Sequence, residues 1–150
     1  MTKILFVCYG NICRSPMAEF VMKDLVDKKG ESANFYIESA ATSTEELGNG
    51  VHWGTRGILD RLNVDYSKKR ARQITKADYQ KFDYIIGMDA MNKRDMLRAF
   101  GGDPDGKISL LLDWTDTPKD VADPWYTHNF EITYTDVVNG TNALYNSIKK

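Results

Sequence analysis

The sequence predicts an α/β fold: a single domain, spanning residues 1–150, with a four-stranded parallel sheet carrying helices on both faces (doubly wound). Three observations lead there. The first apolar run, Ile4-Leu5-Phe6-Val7-Cys8, is unbroken, which suits a strand covered on both sides. Strand-like runs then alternate with helix-like periodicity along the chain. The 150 residues, free of low-complexity linkers and internal repeats, amount to about one domain.

In order, Lys3–Cys8 reads as the first strand. Arg14-Ser15-Pro16 opens a helix, with Ser15 near the cap and Pro16 in the first turn. Met17, Phe20, Val21 and Leu25 continue it at helical spacing until Lys28-Lys29-Gly30. Phe35-Tyr36-Ile37 is a second strand, and Thr42–Val51 a loop. Gly54–Leu62 is a helix through Ile58, Leu59 and Leu62. Tyr84–Met88 is the third strand, and Ala90–Phe100 a helix stopped by Gly101-Gly102. Ile108–Leu112 is the fourth strand. Asp113–Thr127, rich in Asp, Thr and Pro, is a loop. Phe130, Tyr134, Val137, Thr141, Leu144 and Ile148 mark a closing amphipathic helix.

Composition excludes several classes. Lys and Arg total 20, Asp and Glu 21, so the net charge is −1, which argues against a nucleic-acid binder. No apolar run approaches the roughly 18 residues of a membrane span, and no secretory signal precedes the first strand. The two cysteines, Cys8 and Cys13, make neither a disulfide scaffold nor a four-ligand zinc site. A cytoplasmic protein without metal or other cofactor is expected.

In parallel sheets, ligands bind beyond the carboxyl ends of the strands. Cys8 ends the first strand, so it lies where chemistry is expected. The connection Cys8-Tyr9-Gly10-Asn11-Ile12-Cys13-Arg14-Ser15 has Cys-x5-Arg-Ser spacing between a strand and a helix. Such a loop turns successive N–H groups inward as an anion nest, and the helix end adds partial positive charge. Arg14 supplies a planar fork for two phosphate oxygens. Gly10 and Asn11 tolerate the positive φ a tight loop needs. Cys8 then lies under the anion in a positive field that favours its thiolate. Ser15 can donate to that thiolate. The product is a nucleophile aimed at phosphorus. A small buried core cysteine is the bland alternative, and it leaves Arg14, Ser15 and the Gly/Asn pair unexplained. Cys13 fits two roles, core filler or disulfide partner of Cys8 under oxidation.

Cleaving an aryl phosphate also needs a proton for the leaving oxygen. Asp123 in Asp123-Pro124-Trp125-Tyr126 is the candidate: Pro124 stiffens its loop, and Trp125 and Tyr126 offer flat apolar surface for a ring. Spacing alone does not choose it over Asp113, Asp116 and Asp120.

Together, Cys8–Pro16, Ala71-Arg72-Gln73-Ile74, Asp83–Asp89 and Asp123–Tyr126 resemble the low-molecular-weight protein tyrosine phosphatases, in order and over the whole length. The resemblance implies a phosphatase acting on tyrosine-phosphorylated proteins and small aryl phosphates, with phosphate or other oxyanions held in its site. It implies Cys8 as the nucleophile that becomes phosphocysteine, Arg14 and the loop amides of residues 9–15 as phosphate ligands, and Asp123 as the acid. It places Ser15 on the thiolate, Asn11 against the Ser39 hydroxyl as loop support, and Asp89, at the end of the third strand, beside Arg14. Ile12, Trp125 and Tyr126 would line the ring slot. Where the family often carries Trp after the second strand, this chain has Glu45, which disfavours acidic substrate flanks; Trp53 is the candidate to compensate. Lys69 stands where eukaryotic members tend to carry a supporting His.

Related activities fit less well. A thioredoxin-coupled arsenate reductase of this fold needs cysteines downstream of Cys13. A phosphoarginine phosphatase typically has Thr at the position of Ile12 and a less aromatic acid loop. A phosphotyrosine-binding module would be expected to lose Cys8 or Asp123. Three weaker signals have plain readings. Lys68-Lys69-Arg70-x-Arg72 is a solvated flank or docking site, Asp103-Pro104-Asp105-Gly106 a turn rather than a calcium loop, and His52 and His128 isolated surface residues.

Overall fold

The structure is a computed structural model describing residues 1–150. Four parallel strands form one sheet in the order β2-β1-β3-β4: β1 Thr2–Cys8, β2 Phe35–Ala41, β3 Tyr84–Gly87 and β4 Ile108–Leu110. Six helices connect and cover them: α1 Arg14–Lys28, α2 Trp53–Asp60, α3 Lys76–Lys81, α4 Ala90–Phe100, α5 Pro124–Thr127 and α6 Phe130–Ile148. Cys8 is in register with Ala41, and Val7 with Gly87.

The unbroken apolar run of β1 has the cause the sequence suggested. Ile4, Phe6 and Cys8 face a cluster built with Met17, Phe20 and Val21 of α1, Ile58 and Leu59 of α2, and Val137 and Leu144 of α6. Leu5 and Val7 face the opposite way, onto Tyr79, Phe82, Ile85 and Met96 beside α3 and α4. Side chains alternate across a strand, so burying both faces requires apolar residues at every position. The chain crosses from β1 to β2 on one side and later lays β3 on the other. The carboxyl ends of β1 and β3 therefore diverge at a topological switch point.

Several boundaries differ from the sequence reading. β2 runs on to Ala41 rather than stopping at Ile37, because Glu38–Ala41 keep pairing with β1. β3 stops at Gly87: the Met88 N–H is taken by Asn92 Oδ1 at 3.0 Å, and Asp89 becomes the N-cap of α4 instead of a strand end. β4 stops at Leu110, whose N–H goes to Asp113 Oδ2 at 2.9 Å; Leu111 and Leu112 then turn into a 3-10 helix buried in the core. The expected loop 113–127 contains the single turn of α5. Helix α3 is too short to show periodicity, but Thr75 and Asp78 form a capping box at its start.

Candidate active site

The segment between β1 and α1 folds into a tight loop around the Cys8 sulfur. Asn11 sits at φ 60°, a left-handed conformation that Asn tolerates far better than most residues. Gly10 does not use a positive φ. What it avoids is a tight contact, since a Cβ there would come within 3.3 Å of Glu46 Cγ. α1 begins at Arg14 with Cys13 in the N-cap position, so Ser15 and Pro16 lie in the first turn. Pro16 has no N–H to leave unpaired there.

The Cys8 sulfur is 3.0 Å from Ser15 Oγ and accepts the Asn11 N–H at 3.3 Å. A chain of hydrogen bonds sets the direction of the Ser15 proton. Ser39 Oγ donates to Glu19 Oε1 at 2.6 Å, because the carboxylate can only accept. Asn11 Nδ2 therefore donates to Ser39 Oγ and, with its second hydrogen, to Ser15 Oγ, both at 2.9 Å. Ser15 keeps one proton, and Cys8 is its nearer acceptor; the Ala40 carbonyl is 3.5 Å away. Asn11, Ser15, Ser39 and Glu19 are all buried. The Glu19 charge is met by Lys23 at 2.6 Å and Lys69 at 3.7 Å, and Lys69 also donates to Ser39 O at 2.8 Å. The sequence reading did not include Glu19, although it lies one helical turn beyond Ser15 on the apolar face of α1, where a carboxylate needs a reason.

Arg14 is only 6% exposed and held from two directions, by Asp89 at 2.8 Å and by Val121 O at 3.1 Å. Asp123 is 3.5 Å away on the third side. Burial works against the guanidinium charge, but Cys8, Asp89 and Asp123 outweigh it and hold the Arg14 pKa above its ordinary value. Burial, then the neighbouring Cys8, pushes the Cys13 thiol up to about 12. Cys13 is buried and packs with Ile12 and Ala71.

Asp123 caps α5, its Oδ1 accepting the Trp125 N–H at 3.0 Å. Asp123 lines the cleft beside Arg14, whereas Asp113, which accepts the Leu110 N–H, and Asp120, which accepts the Ala90 N–H, do not. Cys8, the loop through Arg14, Glu45, Glu46, Asp89, Asp123, Trp125 and Tyr126 line one cleft of about 510 Å³. Met91, Asn92 and Asp95 of α4 complete the wall and were not singled out from the sequence. Glu45 accepts the Tyr9 hydroxyl at 2.8 Å. Trp125 and Tyr126 are exposed at the mouth.

Three expectations change. Trp53 does not reach the cleft; it stands exposed against His52 and Phe130. His52 is not an isolated surface residue but the half-buried N-cap of α2, accepting the Gly54 N–H. His128 is exposed, as expected of a surface residue. The basic stretch is solvated only in part: Lys68 and Arg70 are exposed, but Lys69 turns inward to Ser39, and Arg72 pairs with Asp78 at 3.0 Å and Glu38 at 3.3 Å.

The family model described as low molecular weight phosphotyrosine protein phosphatase matches residues 3–150. The low molecular weight protein-tyrosine-phosphatase YfkJ of Bacillus subtilis is 41% identical over 152 residues, covering 100% of this chain and 97% of its own. The human low molecular weight phosphotyrosine protein phosphatase is 41% identical over 146 residues, with 94% and 92% covered. The crystal structure of YfkJ superposes with a TM-score of 0.95, at 40% identity over 99% of this chain and 95% of that one. A tyrosine phosphatase of Entamoeba histolytica, solved with Hepes in its active site, gives a TM-score of 0.90 at 27% identity, with 99% and 97% covered. A buried cysteine in a tight loop closed by Arg14, Asp123 on the facing turn and matches of this extent lead to one conclusion: the chain belongs to the low molecular weight phosphotyrosine protein phosphatase family.

Proposed function

We propose that the protein hydrolyses phosphotyrosine in proteins, and small aryl phosphates, through a phosphocysteine on Cys8. The observation that carries this reading is the convergence on one sulfur of the Ser15 hydroxyl and the Asn11 N–H, with Arg14 fixed beside it and Asp123 facing it. The Cys8 sulfur attacks phosphorus in line, forming the P–S bond as the P–O bond to the phenol breaks. Asp123 gives its proton to the departing phenolate oxygen. The loop N–H groups and Arg14 hold the equatorial oxygens as charge shifts onto them. Water then attacks phosphorus, its proton passes to the Asp123 carboxylate, and the P–S bond breaks. Ser15 and Asn11 stabilise the departing thiolate. Hepes, a sulfonate, in the site of the Entamoeba relative supports oxyanion capture here.

Ile12, Trp125 and Tyr126 are suited to flank the phenyl ring, and Glu45 at the rim to repel acidic neighbours in the substrate. The two cysteines, both free thiols, suit a reducing compartment, and we place the protein in the cytoplasm. No helix is long and apolar enough to cross a membrane. The test is turnover of phosphotyrosine and phosphoarginine peptides in excess chelator by the wild type and Cys8→Ser. The expected result is turnover of phosphotyrosine that Cys8→Ser abolishes. A preference for phosphoarginine would overturn the substrate, and an active Cys8→Ser the mechanism.

A further inference from the structure

The turn that carries Asp123 is anchored differently on its two sides. Before Asp123 the anchors are hydrogen bonds into the body of the protein. The Val121 N–H donates to Met88 O at 2.8 Å, the Ala122 N–H to Asp136 Oδ2 at 2.9 Å, and Thr133 Oγ1 to Ala122 O at 2.8 Å. After Asp123 the backbone bonds are local: Tyr126 and Thr127 donate to Asp123 O, and His128 to Pro124 O. The hydrogen bonds of this single turn reach nothing outside it, so beyond the buried Pro124 it is side-chain contacts that hold it against the site.

The tie on that side is aromatic. The Trp125 ring meets His52 edge-on, with centroids 5.6 Å apart at 63°. The other contacts of His52 are Phe130, nearly parallel at 5.5 Å and 11°, and Trp53 at 5.2 Å. His52 is itself bolted to the phosphate loop. Its N–H donates to Ile12 O at 2.9 Å, and Thr55 Oγ1, three residues on, donates to Cys13 O at 3.2 Å. Its Nδ1 accepts the Gly54 N–H at 3.1 Å, which fixes the ring. Gly54 is required there, since a Cβ would lie inside the Phe130 ring. From Trp125 the link reaches the acid directly, because the Trp125 N–H donates to Asp123 Oδ1 at 3.0 Å.

We propose that His52 is a positioning residue for the acid: its ring, fixed to the phosphate loop, holds Trp125 and through it the Asp123 carboxyl over the site. The inference rests on Asp123 being the general acid. His52 touches no reacting atom. What it sets is the distance between two loops from opposite ends of the chain, one carrying the nucleophile and one the proton donor. Small errors in that distance slow proton transfer more than they slow oxyanion binding.

The test separates ring from cap and acid from anion. His52→Ala removes both the ring and the N-cap acceptor, His52→Asn keeps an acceptor without the ring, and His52→Phe keeps a ring without the acceptor. Each is assayed by kcat/KM on phenyl phosphate, whose leaving group needs a proton, and on para-nitrophenyl phosphate, whose leaving group needs it far less. His52→Ala and His52→Asn are expected to lose about three- to tenfold on phenyl phosphate, the rate equivalent of one aromatic pair, and under about twofold on para-nitrophenyl phosphate. His52→Phe should stay within about twofold of wild type on both while melting lower, whereas His52→Asn should melt near wild type. Equal losses on the two substrates, no loss, or rescue by Asn and not by Phe would overturn the proposal. Asp123→Ala is run alongside. If it fails to show the leaving-group dependence, the assignment of the acid falls and takes this inference with it; if it shows the dependence and His52→Ala does not, the inference alone falls.

Discussion

Removing the carboxylate behind Arg14 perturbs stability and oxyanion binding together. Asp89 uses both its oxygens: Oδ2 accepts from Arg14 at 2.8 Å, and Oδ1 accepts the Asn92 N–H at 2.8 Å as the N-cap of α4. The pair lies largely out of water, with side-chain exposures of 6% for Arg14 and 19% for Asp89. A hydrogen bond to a charged group contributes about 1.5–3 kcal/mol, and an N-cap about 1 kcal/mol. Asp89→Asn has one acceptor oxygen for two donors and should cost about 1.5–3 kcal/mol. Asp89→Ala loses both bonds and should cost about 2.5–4 kcal/mol, overlapping the range for breaking a buried pair from one side. Urea denaturation reads this as a fall in midpoint with an unchanged slope. With Asp89 gone, Arg14 keeps Val121 O at 3.1 Å and Asp123 at 3.5 Å, and its fork loses the tie that fixes its orientation. kcat/KM for para-nitrophenyl phosphate should then fall by about tenfold or more, roughly 1.4 kcal/mol of transition-state binding. An Asp89→Ala protein within about 0.5 kcal/mol of wild type, with unchanged kcat/KM, would show that Val121 O and the loop hold Arg14 alone and would refute the reasoning.

Three further outcomes follow from the same structure. With a thiol pushed up to about 12, Cys13 is thiolate to only about one part in 10⁵ at pH 7, so one equivalent of iodoacetate should label Cys8 alone and phosphate should protect it; labelling of Cys13 would contradict this. Asn11→Ala should cost about 2–4 kcal/mol in urea denaturation, from the lost bonds to Ser15, Ser39 and the Arg72 N–H plus an Ala forced to φ 60°; Asn11→Gly should recover about 1 kcal/mol of it by relieving φ alone. Burial would raise the Asp103 pKa, but the Tyr79 hydroxyl and the N–H groups of Lys107, Ile108 and Gly106 outweigh it and lower it from 3.8. A depressed carboxylate stabilises the fold above its unfolded pKa and loses that contribution as pH falls through the folded one. The stability gap between wild type and Asp103→Asn should therefore be full at pH 6 and close below about pH 3.8; a gap independent of pH would contradict the assignment.

The chemistry was legible in the sequence where it is contiguous. Cys8, Asn11, Arg14 and Ser15 lie in one strand–loop–helix unit, so spacing and element type together point to an anion loop. Asp123 is not distinguishable from its neighbours by spacing, because what selects it is tertiary: Arg14 bonds Val121 O two residues before it, which brings Asp123, and not Asp113 or Asp120, into the cleft 3.5 Å from Arg14. His52 was read as a surface residue because its partners, Ile12, Trp125 and Phe130, are scattered over more than a hundred positions. The strand count, the parallel sheet and the longer helices α1, α2, α4 and α6 follow from periodicity, which samples burial; the short α3 and α5 do not. Nor do the ends of β3 and β4, because Asn92 and Asp113 take backbone N–H groups that an apolar pattern assigns to the ladder.

The covalent step is open to direct measurement. Wild-type protein mixed with phenyl phosphate, quenched in acid within the first turnovers and digested, should yield a Cys8 peptide heavier by one phosphoryl group. Asp123→Ala, slowed in both forming and hydrolysing the intermediate, should still carry the label on Cys8, and Cys8→Ser should carry none. A phosphoryl group on any other residue, or full turnover with no covalent species at any quench time and undiminished activity in Cys8→Ser, would contradict the account.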